Sequence, residues 1–324
     1  MSAGWVAGSV RARALARRRI GADQARRLAA CGSLGEALAM LAATPYRIGP
    51  DAPPGTPGPS RPAVAGRGTQ QELAATQHAI AEALLWDLRV LAGWLPQGGA
   101  QLMRVLAGWF EIANVAERLA ELSGRQPGPA FRLGALATAW PQLQRAASLA
   151  ALRSALAASA WKDPGGDTPD AIEVGLRARW AQRIAELGEP AQTWAASALA
   201  LLLAGQRFGP ERTANPVLSS VAATLLGPRA AAAGTPDELV RWLPGRLSWV
   251  LEPVTDPADL WLAEAAWWTR TERDGRELLA GSGLDRRPVL GAVVVLAADA
   301  RRVGAALEIA ARGGGPMGVF DAVA

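Results

Sequence analysis

The sequence predicts an all-α protein, and three observations carry that prediction. Apolar residues recur every three to four positions along most of the chain, the period of a helix with one buried face. Several of these runs open on a capping residue followed by proline, at Thr168-Pro169, Thr235-Pro236 and Asp256-Pro257, and proline is tolerated only in the first helical turn. No run sustains the alternation of period two that a half-buried strand would require.

Val6 to Ala43 reads as two helices parted at Ile20-Gly21, the second carrying Ala25, Leu28, Leu34, Leu38 and Leu41 at helical spacing. Gly49 to Gly68 then holds six Pro and five Gly, a composition that reads as an exposed linker. Glu72 to Trp94 is amphipathic through Leu73, Ile80, Leu84, Leu88 and Leu91. Leu95-Pro96-Gln97-Gly98-Gly99 closes it, and Leu102 to Leu122 forms the next helix. Phe131 to Trp140 reads as a short helix stopped by Pro141, followed by a helix over Leu143 to Trp161. After the break at Lys162 to Asp167, helices are expected from Thr168 to Leu187 and from Ala191 to Ala204. Thr235 to Glu238 is a capping box, Asp256 opens a long helix through Leu279, and Arg287-Pro288 starts a last one to about Arg312. Capped helix groups recur at roughly hundred-residue spacing, which suggests three loosely similar helical domains over residues 1–125, 126–232 and 233–324.

Composition excludes much chemistry. The chain is 50% apolar and 19% charged, a globular balance. Its one Cys (Cys31) and one His (His78) allow neither an intrachain disulfide nor a Cys/His zinc site. No G-x-S-x-G presents a nucleophile, no G-x-G-x-x-G follows a strand-like run, and the one lysine, Lys162, lies outside any G-K-[ST] phosphate loop. Glu111, Glu173, Glu264 and Glu308 stand singly on helices, so no acid/base pair emerges. No catalytic, cofactor-binding or metal-ligating residue is expected. The longest apolar stretches, Trp194–Ala204 and Val289–Ala298, fall short of the roughly 18–20 residues that span a bilayer. The chain therefore reads as cytosolic.

Charge concentrates at one end. Eight Arg against Asp23 and Glu36 give the first fifty residues +6, whereas the whole chain carries +5. Arg11, Arg18 and Arg19 in this region are candidate interface residues, able to meet phosphates or acidic loops; in an Arg-biased sequence a solvated face is the plainer reading. Trp242 and Trp249, seven apart as are Trp261 and Trp268, would share a helix face in a core or at a subunit interface. Mixed charge around them argues against base stacking. His78, four residues before Glu82, reads as a surface histidine with a carboxylate one turn away.

The order of signals resembles the C-type central-stalk subunit of the archaeal and bacterial V/A-type rotary ATPases, the counterpart of the d-type subunit of eukaryotic V-ATPases. The resemblance rests on an Arg-rich first helix, on Leu34-Gly35-Glu36-Ala37-Leu38, and on Leu41-Ala42-Ala43-Thr44-Pro45-Tyr46, which fits an L-x-x-T-x-Y signature with the chain's only Tyr. It continues through the Glu72-Leu73 helix start and through Trp109-Phe110-Glu111-Ile112-Ala113-Asn114 to Leu119, with Asn114 one of two Asn. A Pro-started last helix and Arg312-Gly313-Gly314 complete it. Ala297 to Arg302 keeps helix and charge but departs from the family's Lys-Glu-x-x-Glu pattern, and the 49–68 linker is unlike its compact turn.

The resemblance implies three similar helical domains arranged as a funnel, in a non-catalytic central-stalk protein peripheral to the cytoplasmic face of a membrane. Its partners would be the rotary ATPase shaft subunits and the membrane c-ring, which it would couple for proton or sodium translocation. Thr44, Tyr46, Glu111 and Asn114 would be family-signature positions. The alternative reading is an all-α regulatory module that binds nucleic acid or an anionic surface through its basic N-terminal helices.

Overall fold

The computed structural model describes residues 2–46, 69–210, 212–254, 256–315 and 320. Every regular element among them is helical: α1 (Ala3–Ala16), α2 (Gly21–Ala29), α3 (Leu34–Ala42), α4 (Thr69–Gly93), α5 (Gln97–Leu106), α6 (Gly108–Leu122), α7 (Trp140–Leu143) and α8 (Leu149–Ala157). These continue into α9 (Pro169–Ala185), α10 (Ala191–Phe208), α11 (Pro216–Leu225), α12 (Pro228–Ala232), α13 (Pro236–Trp242), α14 (Leu260–Ala280) and α15 (Arg286–Ala311). The predicted 49–68 linker lies outside the described residues.

The chain forms two compact units, 1–99 with 268–324, and 100–267, whereas the capping signals in the sequence suggest boundaries near 125 and 232.

In the first unit α15 is the spine, and α1, α2, α3 and α4 all pack on it. Asp285 caps its start by accepting the Arg287 N–H at 2.9 Å. At its end Gly313 takes φ +91°, and Gly313 and Gly314 donate to the Ala310 and Ile309 carbonyls, the paired bonds that end a helix on a left-handed glycine. Gly291 lets α15 cross close to α14: a Cβ there would lie 3.0 Å from Leu278 Cβ. Arg13 of α1 reaches the α14–α15 turn, donating to the carbonyls of Leu279 (3.0 Å), Gly281 (2.6 Å) and Gly283 (2.8 Å).

In the second unit α9 packs on α6, α10 and α11. Thr168 caps α9 by accepting from Ala171 N at 3.2 Å. The core gathers Ile112, Val115 and Leu119 of α6, Leu152 and Leu156 of α8, Ile172 and Leu176 of α9, and the fully buried Trp161. Asn215 caps α11 through Val217 N and Leu218 N, while its amide nitrogen donates to the carbonyls of Pro164 (3.1 Å), Gly165 and Ala171 (2.7 Å).

Four predicted helices are corrected. The single helix expected through Ala25–Leu41 is two, because Ser33 caps α3 on Glu36 N while Glu36 accepts from Gly32 N. Leu102–Leu122 breaks at Ala107, where Gly108 lies under Trp180 and Trp161 too closely for a side chain. Residues 131–139 form no α-helix, only a 3₁₀ turn at Gly134–Leu136, and Pro141 sits in the first turn of α7 instead of ending a helix. The helix expected over Leu143–Trp161 is confined to α8, which Ser148 starts by accepting from Ala151 N at 3.2 Å. Helices α11 and α12 add to the predicted set.

Candidate functional site

The sequence-predicted signature residues fall into two buried polar nodes, one in each unit. In the first unit the hub is Asp299, with no exposed surface, on the buried side of α15. Its carboxylate accepts the N–H groups of Gly21 (2.9 Å) and Ile20 (3.0 Å) at the start of α2, and the Tyr46 hydroxyl at 3.0 Å. A carboxylate at a helix start satisfies N–H groups that the helix itself leaves unpaired. Thr44 donates to the Leu41 carbonyl at 2.7 Å and accepts from Tyr46 N at 3.3 Å. That bond turns the chain at the end of α3 so that Tyr46 points at Asp299.

The charge of Asp299 is balanced along α15 by Arg302, which is 3.8 Å away and pairs with Glu272 of α14. Glu272 in turn accepts from Arg276 at 2.6 Å. Burial pushes the Tyr46 phenol well above its ordinary value of 10.0, and the neighbouring Asp299 carboxylate adds to that. Asp87 of α4 is raised above 3.8 by burial, against the pull of Arg18 and Arg11.

The candidate interface arginines are therefore engaged within their own unit. Arg18 pairs with Asp87 at 3.6 Å, Arg11 is half-buried in the field of the same carboxylate, and Arg19 donates to the Ala16 carbonyl at 2.8 Å. The Arg18 side chain keeps 55% of its surface exposed, so it remains open to a partner despite that pairing. His78 lies 3.9 Å from Glu82, the neighbour its spacing predicts.

In the second unit the hub is on α6. Glu111, 1% exposed, accepts from Thr138 N and Ala139 N, both at 2.6 Å. Fully buried Asn114 exchanges two hydrogen bonds with the Phe131 backbone, donating to its carbonyl at 2.9 Å and accepting its N–H at 2.7 Å. These two side chains give an irregular segment the backbone partners that a helix would have supplied internally. Nearby, Arg183 of α9 lies over the Trp161 ring at 4.8 Å, and burial lowers its pKa against the pull of Glu111 and Glu186.

Trp242 and Trp249 do not share a helix. Trp242 ends α13, and the chain turns at Leu243-Pro244 so that Trp249 falls in a 3₁₀ turn, Gly245–Val250. Trp242 is 40% exposed with the Arg229 guanidinium 4.6 Å over its ring. Trp249 is half-buried and donates to the Arg246 carbonyl at 3.1 Å.

Asp299, Arg302, Glu272 and Asp87 do not emerge from the sequence as site residues. The available signal is an acid and a base three residues apart within the apolar stripe of α15, where a helix normally buries neither. Among the described residues no group of three or more His, Cys, Asp or Glu could hold a metal ion, and no helix is long and apolar enough to cross a membrane.

The fold and its nodes define, among the described residues, an all-helical protein in which interior charges join helices. No family model matches the chain, and no curated protein matches it.

Proposed function

We propose that the chain works by docking to other macromolecules, as a non-catalytic adaptor joining the rotating shaft of a V/A-type rotary ATPase to its membrane c-ring. The observation that supports this reading most directly is the place of the signature residues. Thr44 and Tyr46 tie the end of α3 to α15, and Glu111 and Asn114 tie the 131–139 segment to α6. A protein that transmits torque needs helices that do not slide, and buried hydrogen-bonded nodes resist sliding. The reading carries with it the three-domain funnel and a place on the cytoplasmic face of the membrane, with contact to ring loops but no span.

The alternative, nucleic acid or an anionic surface bound through the basic N-terminus, has less support. Arg13 is committed to three carbonyls and Arg19 to its own helix end. That alternative requires steeply salt-dependent binding by the isolated chain.

Affinity capture of the tagged protein from gently solubilised source membranes, read by mass spectrometry, tests the proposal. Recovery of shaft and ring subunits is the expected result, and exchanging Arg18 and Arg19 for Glu should weaken that recovery in a salt-dependent way. Recovery of nucleic acid, or of soluble proteins without ATPase subunits, would remove the adaptor reading.

A further inference from the structure

The second unit carries a cleft of about 500 Å³ between the end of α10 and the start of α11, within the roughly 300–1,000 Å³ of small-molecule sites. Leu203, Arg207, Arg212, Thr213, Pro216 and Ser219 line it. Two arginines thus line one concave surface, and neither is paired with a carboxylate among the described residues. Arg207 gives one N–H to the Ala233 carbonyl at 2.6 Å, and Arg212 gives its Nε to the Gly209 carbonyl at 3.4 Å. Each guanidinium has five N–H donors, so most of this capacity is uncommitted.

The cleft's shape is fixed from below. Gln206 accepts from Thr213 N at 3.2 Å, which ties Thr213 to α10. The Asn215 side chain already satisfies the first N–H groups of α11, so the helix start is not the donor. The lining residues able to donate to a ligand then include two arginines with Thr213 and Ser219, beside an apolar wall that includes Leu203 and Pro216.

We propose that this cleft binds a small organic anion, a molecule with one phosphate or carboxylate group on a short apolar body. The two guanidinium groups supply forked donors to the anion, and the wall of Leu203 and Pro216 takes the apolar part. The site is independent of the adaptor reading, since it uses none of the residues on which that reading rests.

Isothermal titration of the full chain with phenyl phosphate, at low salt, tests the proposal. Saturable one-site binding is expected, displaced by inorganic phosphate at higher concentration and weakened at least tenfold by Arg212→Gln. Arg212 is exposed, and its one hydrogen bond goes to a carbonyl three residues away, so this variant should keep the wild-type melting temperature. Wild-type protein that shows no binding, or an Arg212→Gln variant that binds equally well, would overturn the site.

Discussion

Gly175, in the middle of α9, offers the sharpest test of how the second unit is packed. Alanine at an interior helix position is ordinarily better than glycine by about 0.8–1.0 kcal/mol. Here a Cβ would overlap the Pro164 carbonyl oxygen, lie 2.6 Å from its carbon, and come within 3.0 Å of Asn215 Nδ2. Pro164 is buried, and its carbonyl accepts from that same amide. The loop must shift, breaking one or two of the Asn215 bonds to Pro164, Gly165 and Ala171. Each lost bond costs about 0.5–1.5 kcal/mol, and a buried amide left unpaired costs about 1–3 more. Set against the propensity gain, Gly175→Ala should destabilise by about 2–3 kcal/mol, lowering the melting temperature by about 5–10 °C in a unit of this size. Gly205 in α10 has nothing within 4 Å of its Cβ position, so Gly205→Ala should stabilise by about 0.5–1 kcal/mol. Urea and thermal unfolding of both variants decide the matter. Equal stabilisation by the two would refute the close approach of Pro164 to α9, and with it the role given to Asn215.

Tyr46 is the only tyrosine, so tyrosinate absorbance reads one residue. Because its folded pKa is raised above 10.0, its contribution to stability is complete below about pH 10 and is lost as pH rises beyond it; tyrosinate should appear together with unfolding, and Tyr46→Phe should flatten that alkaline loss. Asn114→Ala leaves the Phe131 N–H and carbonyl without their partner and should cost about 2–3 kcal/mol; hydrogen exchange should quicken over 131–139 while α15 stays protected. Asp87 is raised above 3.8 by burial, so its protonated form favours folding, and that contribution fades as pH rises through the folded value. Arg18→Ala removes the charge that counters the rise; its deficit, under about 1 kcal/mol for a pair this exposed, should be larger at pH 7 than at pH 3 in chemical unfolding.

The parts of the fold that are legible in the sequence are those set by local physics. Thr168 and Thr235 each cap the helix their spacing announces, accepting from Ala171 N and Glu238 N, and Asp256 caps a 3₁₀ turn, Pro257–Asp259, that leads into α14 at Leu260. The breaks that periodicity does not reveal are set by residues far away in sequence. Ala107 interrupts a helical period because Gly108 meets Trp180, and residues 131–139 are bonded by side chains 17 to 28 positions earlier in place of α-helical bonds. Pro141 misleads because proline stops one helix and starts the next with the same fixed φ. The candidate site divides in the same way. Tyr46 stands out as a lone residue in a short pattern, but its partner Asp299 is 253 positions away, and no periodicity links them.

This division bears on where binding must be sought. Tyr46, Glu111 and Asn114 have their polar groups committed inside their own units, so exchanging them acts first on stability and reaches a partner only through the fold. A docking surface has to be built from groups that stay accessible after folding. Trp242 meets that condition, 40% exposed with its ring already flattened against Arg229, and tryptophan and arginine are among the residues that most often carry binding energy at protein interfaces. Trp242 is not part of the buried core, so Trp242→Ala should cost far less stability than Asn114→Ala. Loss of partner capture by Trp242→Ala at unchanged melting temperature, beside Asn114→Ala with the reverse pattern, would separate residues that hold the protein together from residues that hold it to something else.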